Sequence, residues 1–338
     1  MSEKRALDVL PLAAPLRDGI GRRFEYLRLS LTEVCNFRCT YCLPDGYKKP
    51  CHRPAELTVE EIRRAVGAFA QLGLWKVRLT GGEPTLRRDF VEVARAVASV
   101  PGIRRVAMTT NGYRLAERAQ AWRAAGISAI NISVDSLDPA RFAAITGHDR
   151  LGEVLRGVEA AQAAGFESIK LNAVLMRGIN DDELDAMIDF VTTRDLSLRF
   201  IEVMRTNDNA AFFDQHHVAG QGVIDRLESA GWQRLPRRPG AGPAVELGHR
   251  QAKGRIGIIA PYARDFCASC NRLRLSSDGR LHLCLFGDGG IDLRPILQEG
   301  DQSALTNRIC ALVSTKAPAH RLHEGNSGAT PHLASIGG

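Results

Sequence analysis

The first two-thirds of the chain alternates short apolar runs with stretches of helical periodicity. Apolar residues recur at helical spacing between Thr58 and Gly73, where Thr58 is a predicted N-cap, Glu61 completes a capping box and Gly73 ends the helix. Residues Asp181–Arg194 show the same periodicity. Six short runs predict strands, at Tyr26–Leu31, Lys76–Thr80, Arg105–Thr110, Ala129–Val134, Ser168–Leu175 and Leu196–Val203.

Strand, helix and strand at this spacing predict βαβ units and a parallel α/β sheet. Six such units fit an open doubly wound sheet or most of a barrel, and periodicity alone does not decide between them. The marked residues, however, follow the predicted strands, as in TGGEP, TTNG and SVDS. Barrels build active sites at the C-terminal ends of their strands, so we predict a partial (βα)6 TIM-type barrel.

The pattern changes after about residue 210. We predict a barrel over residues 1–210 and a C-terminal region over 211–338 that closes the barrel mouth. The Pro- and Gly-rich stretch 231–250 has the composition of an irregular connection, and no motif anchors the part from Arg234 to Gly254. The polar, glycine-rich composition of the last 25 or so residues predicts disorder.

Charge and composition exclude several classes of protein. The net charge is +7, and the basic residues are nearly all arginine, but no long basic run of the kind that tracks nucleic acid is present. No apolar run is long enough to cross a bilayer, and the N-terminus lacks the apolar core of a secretion signal. We therefore predict a cytoplasmic enzyme that binds neither nucleic acid nor membrane.

Six of the eight cysteines fall into two groups of three. The first triad is Cys35, Cys39 and Cys42, and the second triad is Cys267, Cys270 and Cys284. Four thiolates close a structural zinc site, and a cubane iron–sulfur cluster also takes four ligands, so three cysteines leave one position open for a substrate. Zinc with a fourth ligand is the structural alternative, and His282 is available to the second triad. Cys51 and Cys310 are interpreted as ordinary small residues.

The first triad, with Tyr41 before its last cysteine, resembles the signature of the radical S-adenosylmethionine (SAM) superfamily. GGEP at Gly81–Pro84 resembles that superfamily's motif for the amino group of methionine. The second triad, with spacings of two and thirteen residues, resembles the C-terminal cluster site of the GTP 3′,8-cyclase family, also called molybdenum cofactor biosynthesis protein A. The resemblance covers essentially the whole chain from about residue 19.

This resemblance implies a lyase with two [4Fe-4S] clusters on the six cysteines. It would convert GTP to (8S)-3′,8-cyclo-7,8-dihydroguanosine 5′-triphosphate, the first step of molybdenum cofactor (molybdopterin) biosynthesis, with a 5′-deoxyadenosyl radical taking hydrogen from C3′ of GTP. The implied SAM contacts are Tyr41, Gly82, Ser133 and Met204. The implied GTP contacts are Arg28, Arg78, Thr109, Lys170, Arg272, Leu273 and Arg274. Gly337 and Gly338 match the family's terminal pair, which enters the active site.

The resemblance also implies partners and leaves rivals open. The partners are an electron donor such as flavodoxin or ferredoxin, a second copy in a homodimer, and cyclic pyranopterin monophosphate synthase, the next enzyme, by product hand-over. The rivals are a peptide-modifying radical SAM enzyme with an auxiliary cluster and a zinc-binding regulatory protein. Independently of family, Arg28 and Arg78 lie inside short apolar strands, where an unpaired charge is costly. Each therefore requires a bound anion or a carboxylate inside the barrel.

Overall fold

The computed structural model describes residues 15–52, 54–238, 240–329 and 332–337. Its strands are β1 (Tyr26–Ser30), β2 (Lys76–Thr80), β3 (Arg105–Thr110), β4 (Ile127–Ser133), β5 (Ser168–Leu175), β6 (Ser197–Glu202), β7 (Gln233–Arg234), β8 (Val245–Gly248), β9 (Arg255–Ile259), β10 (Arg272–Leu275), β11 (Arg280–His282) and β12 (Ile291–Asp292). Its helices are α1 (Val59–Gln71), α2 (Phe90–Ala98), α3 (Leu115–Ala124), α4 (Pro139–Thr146), α5 (Leu151–Ala163), α6 (Leu184–Thr192), α7 (Ala210–His216), α8 (Gly220–Ser229), α9 (Arg294–Glu299) and α10 (Gln302–Ser314). Short 3₁₀ turns lie at Pro84–Leu86, Asp181–Glu183, Leu322–Glu324 and Leu333–Ser335.

The six predicted strands are confirmed as β1 to β6. They lie side by side in chain order, and every neighbouring pair among them is parallel. Because the order of strands in the described residues runs from β12 to β7 without closing, the barrel is a partial one, as the positions of the motifs predict.

Strands from beyond residue 210 continue this sheet at both edges. β10 pairs with β1 and β9 pairs with β6, both in parallel, and the remaining strands extend outward from them. The C-terminal segment therefore adds to the barrel wall as well as to its mouth. The boundary at residue 210 stays a prediction.

The stretch 231–250 is more regular than its composition predicts. It contains β7 and β8, which form an antiparallel hairpin on β9. Trp232 and Leu247 bury their side chains on either side of the Pro- and Gly-rich loop, so a few apolar residues hold this segment to the sheet. The prediction of an irregular connection is wrong for these strands, because they form by pairing with the edge strand β9, and local composition carries no information on that pairing.

Local capping holds α1 in the predicted place. The Thr58 hydroxyl accepts a hydrogen bond from the Glu61 amide, and the Glu61 carboxylate accepts one from the Thr58 amide at 2.7 Å. Gly73 follows the helix with φ of +86°, a left-handed conformation that favours glycine.

The strands sort their side chains between core and lumen. In β2, Val77 and Leu79 are fully buried in the layer between the sheet and the helices, whereas Lys76, Arg78 and Thr80 line a cavity inside the barrel. The same alternation places charged residues of several strands in one lumen. No helix in the described part of the chain is long and apolar enough to cross a membrane.

Candidate active site in the barrel lumen

One cavity of about 970 Å³ brings the predicted site residues together. Its walls include all six cysteines of the two triads and the four predicted SAM contacts, Tyr41, Gly82, Ser133 and Met204. They also include the predicted GTP contacts Arg28, Arg78, Thr109, Lys170, Arg272 and Arg274. A cavity of this size is large enough for two ligands in contact.

The loop of the first triad is held by the GGEP turn. The amides of Gly82 and Glu83 donate to the carbonyls of Thr32 and Val34 at 2.9 and 2.8 Å. A Cβ on Gly82 would lie 2.4 Å from the Val34 carbonyl oxygen, so this close approach requires glycine.

Glu83 points away from the cavity and braces the turn from behind. Its buried carboxylate accepts hydrogen bonds from the amide and hydroxyl of Thr85, the Thr110 hydroxyl and the Asn111 amide. Burial nevertheless raises its pKa. The acidic residue of GGEP therefore orders the turn, and the residues of this motif that line the cavity are Gly81 and Gly82.

The thiols of the first triad lie in a buried and acidic setting. Burial raises the pKa of Cys35 to about 11 and that of Cys42 to about 12. The Tyr41 hydroxyl donates to Asp135 at 3.0 Å, and burial raises the pKa of Asp135 to about 6. The Phe37 amide donates to Cys35 Sγ at 3.5 Å, the kind of contact that stabilises a thiolate on iron.

The second triad lies in a basic setting. Cys267 and Cys270 precede β10, and Cys284 follows β11. Burial raises the pKa of Cys270, but Arg272 and Lys316 lower it below its usual range. At Cys267, by contrast, burial keeps the pKa raised, so the positive environment favours the metal-binding thiolate at Cys270 in particular.

Arg22 fastens the loop of the second triad to distant segments. Its guanidinium donates to the carbonyls of Cys267 at 3.0 Å and Ala317 at 2.7 Å, while its Nε pairs with Asp18 at 2.6 Å. Arg22 was not predicted from the sequence, because the carbonyl groups that it binds lie more than 240 residues away.

The donor sets of the two triads fit iron–sulfur clusters. Each triad offers three thiols to the cavity and leaves one position open. Each cysteine of a cubane binds a different iron, whereas a structural zinc site needs a fourth protein ligand. Burial and Arg274 lower the pKa of His282 to about 4, but its ring is not part of the cavity wall. The open triads thus fit clusters with one free iron each.

The cations of the wall are aligned by strand register. Arg28 is level with Arg78 on one side and Arg274 on the other, and Tyr26 is level with Lys76 and Arg272 one layer below. Arg78 donates to the Tyr26 hydroxyl at 2.5 Å and to the Met108 carbonyl at 2.7 Å. No salt bridge among the described residues includes Arg78. The structure therefore does not show the carboxylate partner that the sequence left open as an alternative for this residue.

The chain's C-terminal segment enters this wall. The Gly337 carbonyl accepts hydrogen bonds from Arg28 Nε at 2.9 Å and from Arg274 at 2.6 Å. Gly337 has φ of +64°, and a Cβ there would lie 2.2 Å from Thr80 Cγ2. The prediction of disorder from composition is therefore wrong for residues 332–337, since the arginines bind the tail. Gly338 lies outside the described residues.

Comparison with known proteins decides the family. Residues 29–191 match the radical SAM superfamily, and residues 196–322 match the Molybdenum Cofactor Synthesis C family. The chain is 56% identical over 330 residues to a GTP 3′,8-cyclase of Aeromonas hydrophila, covering 96% of each chain. It is 57% identical to that of Stenotrophomonas maltophilia, covering 96% of this chain and 99% of the other. This chain belongs to the GTP 3′,8-cyclase family.

Solved structures support the fold of this GTP 3′,8-cyclase family member. The crystal structure of Streptococcus suis SuiB bound to S-adenosylmethionine has a TM-score of 0.59, with 13% sequence identity, and the match covers 85% of this chain and 68% of that chain. The radical SAM fold predicted from the motifs is confirmed.

One predicted contact needs correction in this family member. Leu273 has a fully buried side chain that packs in the core, because it lies between the lumen-facing Arg272 and Arg274 on β10. Its side chain is therefore no ligand contact, and the prediction applies to its backbone alone.

The sequence analysis also missed several lumen residues. Lys76 and Arg199 line the cavity, and Arg199 is salt-bridged to Glu246 at 2.9 Å. Burial raises the pKa of Tyr26, but Arg78, Arg28 and Lys76 lower it to about 6. Burial and the nearby Arg78, Arg199 and Arg105 lower the pKa of Lys76 to about 8, although Tyr26 raises it. A signal was available, since Arg199 interrupts an apolar strand just as Arg28 and Arg78 do, and Lys76 begins the strand that contains Arg78.

Proposed function

We propose that this protein is a GTP 3′,8-cyclase, which converts GTP to (8S)-3′,8-cyclo-7,8-dihydroguanosine 5′-triphosphate with two [4Fe-4S] clusters and SAM. The observation that carries the proposal is the shared cavity, in which both triads and a wall of arginine and lysine face each other. A nucleotide triphosphate is the anion that such a wall suits. The named relatives, at 52–57% identity over nearly the whole chain, support the same activity.

The first triad would hold the cluster that binds SAM. When bound, the cluster and SAM supply the one-electron cleavage that removes hydrogen from C3′ of the ribose. The chain's part is to orient SAM: the glycines of GGEP bring backbone groups close to the ligand, while Tyr41, Ser133 and Met204 line its side of the cavity. The carboxylate of Asp135 contributes negative charge near the sulfonium.

The cationic wall would bind the triphosphate. Arg28, Arg78, Arg272, Arg274 and Lys170 are the contacts carried over from the family, and Lys76 and Arg199 complete the wall in the structure. Arginine forks bind phosphate oxygens in pairs, which fixes the ribose relative to SAM. Positioning of this kind is the main demand of the reaction on the protein.

The second triad would hold the cluster that faces the guanine. Cys267, Cys270 and Cys284 leave one iron free for the base. Gly337 then lies between the arginines of the clamp, so we propose that the tail aligns Arg28 and Arg274 during turnover. Gly338 is included in this proposal only on the resemblance.

The remaining parts of the proposal concern partners. A flavodoxin or ferredoxin supplies the electrons, cyclic pyranopterin monophosphate synthase receives the product, and the enzyme acts as a cytoplasmic homodimer. The family resemblance supports each of these.

An anaerobic assay tests the proposal. Reconstituted protein is incubated with SAM, dithionite and GTP, and 5′-deoxyadenosine and nucleotides are separated by chromatography. We expect 5′-deoxyadenosine to form only with GTP, together with a cyclised nucleotide. Formation of 5′-deoxyadenosine at the same rate without GTP would argue against GTP as substrate and favour a peptide-modifying radical SAM enzyme. If protein that carries about eight irons forms no 5′-deoxyadenosine at all, the proposed mechanism is wrong.

A further inference from the structure

Glu246 is an acidic side chain that lies among the cations of the proposed phosphate wall. It lies on β8, within the segment that no sequence motif anchors, and it lines the cavity. Its Oε1 accepts from Lys170 Nζ at 3.2 Å and from the Arg199 guanidinium at 2.9 Å. A carboxylate at this place competes with phosphate for the same cations, so its presence calls for an explanation.

A glycine makes the contact with Arg199 possible. Glu246 is level with Gly257 on β9, and Gly257 is level with Arg199 on β6. A Cβ on Gly257 would lie 3.1 Å from Arg199 Cγ. Because Gly257 has no side chain, Glu246 and Arg199 meet across an intervening strand.

The contact with Glu246 does not saturate the guanidinium of Arg199. One terminal nitrogen binds Glu246, but in the described part of the chain the buried Nε has no hydrogen-bond partner. The Oδ1 of Asn172, which is level with Arg199 on β5, is also buried without a partner. Because Arg199 also lines the cavity, Glu246 holds it in the wall without using all of its hydrogen-bonding capacity.

The positive charge of Lys170 depends on the neighbouring carboxylate of Glu246. Burial and the neighbouring Arg199 and Arg78 lower its pKa to about 8, against the opposing effect of Glu246. Burial raises the pKa of Glu246, but Lys170 and Arg199 lower it to about 2, so it is ionised at neutral pH. The other titratable side chains of the same cavity include Tyr26, Lys76, Arg105, Glu167, Asp195 and Arg255.

We propose that Glu246 is a positioning residue for the triphosphate site, whose carboxylate keeps Lys170 protonated and holds Arg199 in place for the incoming phosphate. This inference rests on the proposed function, because it assigns the phosphate-binding side of the GTP site. Without this carboxylate, the phosphate would lose a competitor for the two cations at low pH, where Lys170 is protonated. At high pH Lys170 would be uncharged, and the phosphate would be bound more weakly.

The first measurement does not involve GTP. The pH dependence of acetylation of Lys170 by acetic anhydride is followed by mass spectrometry in the holoprotein, with the exposed Lys253 as internal reference. We expect the E246Q variant to lower the apparent pKa of Lys170 by about one to two pH units, and E246D to restore most of it. An unchanged pKa of Lys170 in E246Q would overturn the proposal.

The second measurement is the dissociation constant for GTP as a function of pH. Loss of a charged contact predicts that E246Q binds GTP about tenfold to a hundredfold more weakly than wild type near pH 8. Near pH 6, where Lys170 regains its proton, binding is expected to be as tight as in wild type or tighter. E228Q, which removes an exposed partner of Arg234 on the outside, is the matched control and should leave both curves unchanged.

A double variant separates charge from structure. In K170R the cation cannot lose its proton, so adding E246Q to K170R should cause no pH-dependent loss of GTP binding. Equal weakening at every pH, in both backgrounds, would mean that Glu246 only supports the fold and would overturn the proposal. Wild-type holoprotein that binds no GTP would overturn the proposed substrate, whereas the acetylation result would still decide the link between Glu246 and Lys170.

Discussion

The two cysteine triads share a cavity but lie in opposite electrostatic surroundings. Burial raises the pKa of Cys35 and Cys39 in the first triad, and the carboxylates of Glu83 and Asp135 oppose ionisation of these thiols further. In the second triad burial also raises the pKa of Cys270, but Arg272 and Lys316 lower it below its usual range. The cavity therefore changes from an acidic end that suits a sulfonium cation to a basic end that suits a triphosphate.

The two triads also differ in how they are held. The first lies on one continuous loop between Cys35 and Cys42, braced by the neighbouring GGEP turn. The second is split by β10 and β11, and Arg22 ties it to residues from both ends of the chain. Local sequence thus shapes one site, whereas long-range contacts assemble the other.

Removing one thiol from either triad should have the largest effect on activity, and the two losses should differ. C39S should abolish release of 5′-deoxyadenosine, because the first triad is the one proposed to hold the cluster that binds SAM. C270S should keep some SAM cleavage but form no cyclised nucleotide, because the second triad is proposed to hold the cluster that faces the base. Iron and sulfide analysis with product chromatography checks both. C310S, at an exposed position, is the control. Cyclised product from C270S would contradict the assignment of separate roles.

A side chain at Gly337 should disturb the basic end alone. In G337A the new Cβ meets Thr80, and the tail loses its contacts with Arg28 and Arg274. We expect kcat for GTP to fall about a hundredfold, since small misplacements at a reacting centre have effects of that size.

The matched control for this variant is G325A. Gly325 has φ of +74° with nothing within 4 Å of a new Cβ, so it carries the backbone strain without the clash. Equal losses in both variants would show that strain, and not the tail contact, explains the effect.

Raising the pH should weaken GTP binding more than SAM binding. Lys76 and Lys170 have pKa values of about 8, so both lose positive charge as the pH rises through that value and attract the triphosphate less. We expect the dissociation constant for GTP to rise about tenfold between pH 7 and 9. Titration calorimetry with each ligand checks this, and K76R should flatten the GTP curve. If the dissociation constants for GTP and SAM changed equally with pH, the cavity would not have the acidic and basic ends described above.

The smallest expected effect concerns the brace of the first loop. E83Q keeps one acceptor oxygen, for Thr85 and Thr110, but replaces the oxygen that accepts from the Asn111 amide by an NH2 group. The Asn111 amide is then buried opposite a donor, so we expect the free energy of unfolding to fall by about 1–3 kcal/mol. Urea unfolding measures this, with the exposed E92Q as control. An unfolding curve for E83Q equal to that of wild type would mean that the carboxylate does not stabilise the turn.

Much of the barrel was predictable because its signals are local. The strands β1 to β6 alternate apolar and polar residues, and Thr58 with Glu61 caps α1 through neighbouring atoms. The segment around β8 was not predictable, because its pairing depends on the edge of β9. The burial of the Leu273 side chain in the core was not predictable for a related reason, since motif matching does not tell which face of a strand a residue occupies.

The sequence by itself determined the parallel core, the two open cysteine triads and the family, because each depends on spacing within a short stretch of chain. Only the tertiary structure decided that Gly337 lies between Arg28 and Arg274, and that Glu246 meets Arg199 across Gly257. These contacts join residues that are tens to hundreds of positions apart. Their partners are chosen by strand register and close packing, which no local pattern in the sequence records.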